Sequence, residues 1–283
     1  MLRQWPLPAP RGNDSKEDRG RILVIGGETS LPGAVILSGI AALRAGAGKL
    51  QIATCESIAP AVGVAVPESM AVALEETERG TIAPSAAATI AELIRAADAV
   101  LIGPGMTVNR DATALARSVL ALCSDTPVVI DAGALAVLRD SPDCLYPLKG
   151  NAVITPHAGE MAQLLDIGID EVTGDPESIA RDAAATLRAV VVLKGPRTFL
   201  AAPSGEMHCY EAGDVGLATS GSGDTLAGVI AGLMARGSPP LHAALWGVFL
   251  HGSAGNALAK RVGRIGYLAR ELLAEIPAIM NGR

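Results

Sequence analysis

The sequence predicts an α/β protein, with a mainly parallel β-sheet covered by helices on both faces. Short β-branched runs alternate along the chain with Ala- and Leu-rich segments of helical spacing, which is typical of such sheets. About half of the 283 residues are hydrophobic, and only 2% are aromatic. This composition is sufficient for a large core. No linker, repeat or low-complexity tract divides the chain, so we expect residues 1–283 to form a single domain.

The predicted strands are short aliphatic runs, several of which stop at a glycine or a polar residue. Those expected to be parallel are 21–25, 49–53, 99–102, 128–130, 152–154 and 190–193. The turn sequence Pro203-Ser204-Gly205 predicts a hairpin of 199–202 with 207–210, which adds antiparallel strands. Apolar residues at helical spacing predict the helices. These are 34–45, 86–95, 112–122, 159–165, 177–187, 224–236, 241–260 and 267–276.

Glycine and polar residues follow the predicted strands at their carboxyl ends. They are Gly26, Gly103, Asp131, His157 and Lys194. Ligands of open α/β sheets bind along that edge. The sequence therefore predicts one crevice built from five loops.

The segment 217–228 carries the strongest chemical signal. Gly221, Ser222 and Gly223 precede Asp224 and an apolar helical run. Glycines let the backbone approach a ligand closely, and free N–H groups at a helix start bind anions. A carboxylate is costly beside a phosphate, unless it takes the proton of an attacking hydroxyl. We therefore interpret the segment as a phosphoryl-transfer site with an anion hole, although a turn with a capping aspartate would look similar.

Two other residues have open interpretations. Lys194 follows a buried apolar strand, where either a phosphate partner or extension of the side chain into water would remove the cost of its charge. His157 is expected at the mouth of the crevice, although a lone histidine is more often structural. His251 lies in an apolar helical run and is interpreted as a packing residue.

Charge and cysteine content exclude several classes of function. The net charge of −6 and the lack of basic clusters argue against nucleic acid and anionic membranes. No apolar run is long enough for a membrane span, and residues 1–10 lack the apolar core of a signal peptide. The scattered Cys55, Cys123, Cys144 and Cys209 have no metal-ligand spacing, so we expect buried free thiols, no metal site and a cytoplasmic location.

Together these motifs resemble the ADP/ATP-dependent NAD(P)H-hydrate dehydratase family of the ribokinase-like superfamily, from about residue 21 to 276. The Gly-Asp segment marks only the superfamily, whereas Thr-Pro-His-Ala-Gly-Glu at 155–160 is specific. The other matching motifs are Gly33-Ala34, Ile-Gly-Pro-Gly at 102–105 and Leu-Lys-Gly at 193–195. The resemblance implies a ribokinase-like three-layer α/β/α sandwich, with a mostly parallel central sheet and some antiparallel strands.

The resemblance implies repair of NADH or NADPH that has taken up water at C6 of the nicotinamide ring. ADP or ATP phosphorylates the C6 hydroxyl of the S epimer, and phosphate then leaves. The products are NADH or NADPH, phosphate, and AMP or ADP. Asp224 would be the base, and the N–H groups of Ser222 and Gly223 would stabilise the transferred phosphoryl group. The sequence does not decide between ADP and ATP, or between the two hydrates.

Roles carry over from the family at matching positions. The hydrate would be bound by Ala34, Gly105, His157 and Asp224. The adenine nucleotide would be bound by Lys194, Gly195, Pro196, Arg197, Thr198 and Gly223, with Mg²⁺ accompanying its phosphates. Family members form tetramers, so a homotetramer is implied.

The chain departs from the family pattern at two places. Gly133 replaces a frequent carboxylate, and Ser15-Lys16-Glu17 replaces a His-Lys-Gly cluster. The epimerase domain fused to some relatives is not expected here, so a separate NAD(P)H-hydrate epimerase would be the functional partner. Alternatives are a kinase of a vitamin-precursor alcohol, of the hydroxyethylthiazole or hydroxymethylpyrimidine type, and a non-catalytic nucleotide-binding protein.

Overall fold

A central nine-stranded sheet organises the computed structural model, which describes residues 2–9, 13 and 15–282. Across this part of the chain the strand order is β3-β2-β1-β4-β5-β6-β7-β8-β9. Strands β1 to β7 pair in parallel, and β8 and β9 add an antiparallel hairpin. The predicted α/β class, the mostly parallel sheet and its antiparallel edge are therefore confirmed.

The central strands are buried on both faces, as expected for parallel strands between two helical layers. In β1, Ile22 and Val24 face one core while Leu23 and Ile25 face the other. The strands are β1 Arg21–Ile25, β2 Lys49–Cys55, β3 Ser69–Leu74, β4 Ala99–Ile102, β5 Val128–Ile130, β6 Ala152–Ile154, β7 Val190–Leu193, β8 Thr198–Ala201 and β9 Met207–Tyr210.

Helices cover both faces of the sheet and complete the three layers. The first face carries α1 Pro32–Arg44, α2 Ala59–Ala65, α9 Ser222–Ala235, α10 Pro240–Arg261 and α11 Ala269–Met280. The second carries α3 Ala91–Ala96, α4 Arg110–Leu122, α5 Val137–Asp140, α6 Ala158–Leu165, α7 Ile169–Gly174 and α8 Pro176–Leu187. Within the described residues, none of these helices combines the length and apolarity that a membrane span requires.

The sequence analysis was wrong about one helix and did not identify four of the strands and α-helices. The helix expected at 86–95 is a 3₁₀ turn, Pro84–Ala87, followed by α3, because Ile90 leaves the α region with φ −100° and ψ 6°. The missed elements are α2, β3, α5 and α7. Strand β3 is an edge strand with half-exposed side chains, so it lacks the continuous apolar run of the central strands.

The four cysteines differ in burial. Cys55 and Cys123 are buried free thiols, as expected. Cys144 is partly buried, and the prediction is wrong for Cys209, which is exposed. Cys209 lies in β9, the last strand of the sheet, where one side has no neighbouring strand.

Helices α1 and α9 approach each other closely because glycines line their contact. A Cβ atom on Gly228 would lie 2.2 Å from the Ser38 carbonyl oxygen, and one on Gly232 would lie 2.5 Å from that of Ala42. Both distances are too short for a side chain. This contact fixes the position of α9, whose first residues were predicted to form the anion hole.

We expect Gly228→Ala to destabilise the protein, because the added methyl group would force α1 and α9 apart. Overpacking of this kind costs about 1–3 kcal/mol, so the melting temperature should fall by several degrees. Gly33→Ala in α1 is the matched control, since a Cβ there meets nothing within 4 Å. The measurement is the melting temperature of each variant. Equal melting temperatures for Gly228→Ala and Gly33→Ala would contradict the packing argument.

Candidate active site

A cavity of about 800 Å³ lies at the carboxyl edge of the sheet, next to the first turn of α9. Of the predicted site residues, those lining it are His157, Lys194, Gly195, Pro196, Thr198, Ser222 and Gly223. Leu217, Leu226 and Val248 also line it. The cavity therefore combines apolar side chains with polar groups such as Lys194.

The other predicted residues do not line this cavity. Ala34 and Gly105 lie together on the neighbouring loops, since a Cβ on Gly105 would be 3.1 Å from that of Ala34. Gly221 packs against Leu37 of α1. The Arg197 side chain is 58% exposed and lies 3.7 Å from the Glu211 carboxylate. The predicted nucleotide segment is thus divided, with Arg197 outside the cavity.

The first turn of α9 begins at Gly221, which has a φ of 85° and no side chain to cap the helix. The Gly221 carbonyl accepts hydrogen bonds from the Thr225 N–H and hydroxyl groups, at 3.0 and 3.1 Å. The expectation for Ser222 needs correction, because its N–H donates to the Thr219 carbonyl at 3.2 Å. Gly223 is the second helical residue, so its N–H has no acceptor within the helix and is free to donate to a ligand.

Lys194 is held by carboxylates, which differs from both interpretations of the sequence. Its ammonium lies 3.1 Å from Asp131 and 3.7 Å from Glu160. The Asp131 side chain is almost fully buried, and the Thr155 hydroxyl donates to it at 2.7 Å. Burial alone would lower the pKa of Lys194, but Asp131, Glu160 and then Asp224 raise it above its ordinary value. Lys194 is therefore a fixed cation.

The Lys194 ammonium and the α9 N-terminus converge on one point. A Cβ on Gly223 would lie 3.3 Å from Lys194 Nζ, so glycine leaves room for the ammonium beside the helix start. The partial positive charge of a helix N-terminus and a neighbouring ammonium both favour an anion. Their convergence makes this end of the cavity suited to a phosphate group.

Asp224, the third residue of α9, is a carboxyl group suited to proton transfer near neutral pH. Burial, and then repulsion from Asp131, raise its pKa to about 7. Lys194 partly offsets this effect and Glu160 adds to it. A group with a pKa near the working pH is an efficient general base.

His157 caps α6 with its imidazole ring. Its Nδ1 accepts hydrogen bonds from the N–H groups of Gly159 and Glu160, at 3.0 and 3.2 Å. The Glu160 carboxylate accepts in return from the His157 N–H at 2.7 Å. Because Nδ1 is an acceptor, the ring proton lies on Nε2. The half-exposed ring can therefore donate one hydrogen bond into the cavity.

Two buried polar residues of this region were not identified as functional from the sequence. Glu28 is 6% exposed, and its carboxylate accepts from the Thr107 N–H at 2.8 Å and from the Thr107 hydroxyl. The Glu28 N–H donates to the Gly105 carbonyl at 2.9 Å, so Glu28 joins the loops after β1 and β4. Its place directly after Gly26-Gly27 was the available signal.

His251 is buried, as a packing residue would be, but it also lines the cavity. Its Nε2 lies 2.9 Å from the Ser222 hydroxyl oxygen. Apolar neighbours in the sequence concealed this contact, which joins residues from two different helices.

The described residues contain no group of three or more histidine, cysteine, aspartate or glutamate side chains that could hold a metal ion. Asp131 and Glu160 are instead paired with Lys194. An ion that enters this site would need most of its ligands from the bound molecule and water.

Comparisons with known proteins show which family the chain is similar to. The sequence model of the family described as NAD(P)H-hydrate dehydratase matches residues 22–278. The ADP-dependent (S)-NAD(P)H-hydrate dehydratase of Xanthomonas campestris is 48% identical over 99% of this chain and 94% of its own length. The bifunctional NAD(P)H-hydrate repair enzyme Nnr of Thermofilum pendens is 36% identical over 98% of this chain. The chain spans about half of that relative, 52% of its length.

A solved structure is similar over the whole fold. It is the ADP/ATP-dependent NAD(P)H-hydrate dehydratase of Bacillus subtilis, co-crystallized with ATP/Mg²⁺, at 30% identity and a TM-score of 0.84. The match covers 99% of this chain and 95% of the other. With the family match over most of its length, the chain belongs to the NAD(P)H-hydrate dehydratase family.

Proposed function

We propose that this protein is an ADP- or ATP-dependent dehydratase of the S epimer of hydrated NADH and NADPH. The reaction returns NADH or NADPH, with phosphate and AMP or ADP as the other products. The observation that carries the proposal is the position and pKa of Asp224. This carboxyl is in the third residue of α9, its pKa is about 7, and the Lys194 ammonium lies beside the same helix start. The names of the relatives support the substrate.

In the proposed first step, the Asp224 carboxylate accepts the proton of the C6 hydroxyl. The oxygen then attacks the terminal phosphorus of the nucleotide, and the bond to the leaving AMP or ADP breaks. In the second step, the lone pair of the ring nitrogen expels phosphate from C6. Loss of a proton from C5 then restores the double bond of NADH. Only the first step demands a positioned base and an anion site.

The binding roles follow the geometry of the cavity. The Gly223 N–H and the Lys194 ammonium would contact the phosphates, and Gly195, Pro196 and Thr198, which also line the cavity, would contact the adenine. Arg197 would contribute only at the rim, because its side chain faces Glu211.

The hydrate would lie on the other side of Asp224. Ala34 and Gly105, which lie together on neighbouring loops, would contact the hydrate, and the His157 Nε2–H would donate to it. Asp224 would then lie between the hydroxyl of the hydrate and the nucleotide phosphates.

Mg²⁺ would arrive with the nucleotide phosphates. Three carboxylates, those of Asp131, Glu160 and Asp224, face one ammonium in this region. A divalent cation on the phosphates would offset the repulsion between these carboxylates and the nucleotide. Titration of Mg²⁺ at fixed nucleotide concentration tests this expectation.

The cytoplasmic location, the homotetramer and the separate epimerase partner are likewise proposals, supported by the resemblance to the family. Sedimentation of the purified protein measures the oligomeric state directly. The vitamin-precursor kinase is less well supported, because the 48% identical relative is named as a dehydratase. A kinase would give a stable phosphate ester in place of NADH.

We expect Asp224→Asn to abolish most of the reaction while leaving nucleotide binding intact, because the amide cannot accept the hydroxyl proton. Loss of a general base lowers the rate by about a hundred- to ten-thousand-fold. The measurement is the near-ultraviolet absorbance of NADH formed from S-hydrate with Mg²⁺ and either ADP or ATP. Wild-type protein that forms no NADH with either nucleotide would contradict the proposed function.

We expect Lys194→Met to raise the pH at which the enzyme becomes active. Lys194 lowers the pKa of Asp224, so its removal leaves the effects of burial and of the neighbouring carboxylates less opposed. The rising limb of the pH–rate profile, which should centre near pH 7 in the wild type, should move to higher pH, and nucleotide binding should weaken. If the rising limb of the variant lies at the same pH as that of the wild type, Lys194 does not affect the pKa of the base, and the prediction is contradicted.

The raised pKa of Asp224 also affects stability. The pKa of this carboxyl is 3.8 in the unfolded chain and about 7 in the folded protein, so its contribution to stability is complete below the first value. It is lost as the pH rises through the second. Asp224→Asn should therefore match the wild type in melting temperature at pH 4 and exceed it at pH 8. Asp182→Asn, at an exposed position, is the control and should show no such difference.

A further inference from the structure

We infer that His251 is a positioning residue, which holds the first turn of α9 in its ligand-binding geometry through the hydrogen bond to Ser222. This inference rests on the proposed function, since it concerns the same anion site. It adds a residue of α10 that does not belong to the glycine-rich segment.

The contact is specific and buried. His251 Nε2 lies 2.9 Å from Ser222 Oγ, and the two residues are 29 positions apart in the sequence. Both line the cavity, and both are less than 10% exposed, at 9% and 5%. The bond therefore connects the middle of α10 to the first residue of α9, across the wall of the cavity.

The first turn of α9 needs support from outside the helix. A serine, threonine or aspartate at the N-cap normally holds the first N–H groups of a helix. Here the N-cap is Gly221, which provides no side chain and leaves the Gly223 N–H free for a ligand. The bonds of Thr225 to Gly221 hold the turn only against its own helix. The hydrogen bond between the Ser222 hydroxyl and His251 instead connects the first residue of α9 to α10.

A neutral ring suits this position. Burial lowers the pKa of His251 to about 4; the Ser222 backbone partly offsets this effect, and the charge of Lys194 adds to it. The ring is therefore uncharged near neutral pH and can exchange one hydrogen bond with the Ser222 hydroxyl. It adds no charge beside the base. A displacement of about 1 Å at such a site can cost a hundredfold in rate, which makes a fixed turn valuable.

The test is a double-mutant cycle on ADP affinity, measured by calorimetry with Mg²⁺ and without hydrate. His251→Leu and Ser222→Ala should each weaken ADP binding by about tenfold, the value of one hydrogen bond. The double variant should be no weaker than either single variant, because both remove the same bond. His251→Gln should restore binding to within about threefold of the wild type, since its amide reaches the position of Nε2.

His242→Leu is the matched control, because it makes the same change on the same helix. His242 stacks near Trp5, with ring centroids 5.5 Å apart, and does not line the cavity. Its ADP affinity should equal that of the wild type. The rate of NADH formation from hydrate is measured on all variants. In His251→Leu this rate should fall by a larger factor than the ADP affinity does, and in His251→Gln it should recover.

Three outcomes overturn the inference: wild-type ADP affinity in His251→Leu, independent effects that multiply in the double variant, or no recovery in His251→Gln. If His251→Leu does not fold, Ser222→Ala decides the question, and an affinity within twofold of the wild type overturns the inference. A wild type that binds ADP but forms no NADH refutes only the proposed reaction, because the affinity cycle still decides the role of His251. A wild type that binds neither nucleotide refutes both.

Discussion

Lys194 lies at the end of β7 with its ammonium 3.1 Å from the buried Asp131 carboxylate, which follows β5. Glu160 of α6 lies 3.7 Å from the same ammonium. This one cation brings together three segments of the sheet edge, offsets part of the rise in the pKa of Asp224, and faces Gly223 at the helix start. Each charged group of the candidate site therefore depends on Lys194. Removal of one partner of a buried ion pair strongly destabilises a protein, because the other charge stays buried without compensation.

The backbone supports this cluster through close packing. Gly228 and Gly232 allow α9 to lie directly against the backbone of α1, which fixes the height of the helix start over the sheet. On the other side, Glu28 joins the loops after β1 and β4, where Gly105 lies. Contacts that involve no ligand thus hold both the start of α9 and the loops after β1 and β4.

Two histidines contribute as uncharged hydrogen-bonding groups. His157 caps α6 through Nδ1, which leaves its Nε2–H available to the cavity. His251 is kept neutral by burial and contacts the Ser222 hydroxyl. The charges of the candidate site are then those of one lysine and the carboxylates around it, and the proposed base is Asp224, whose pKa burial raises to about 7.

The sequence alone determined the α/β class, most strands and helices, and the edge on which Asp131, His157 and Lys194 meet. These features depend on local patterns, such as buried apolar runs and the residues that end them, which one segment displays by itself. The partner of Lys194, the contact of His251 with Ser222 and the exclusion of Arg197 from the cavity were decided only by the tertiary structure. Each depends on distances between segments far apart in the chain, because packing and not local spacing sets which side chains meet.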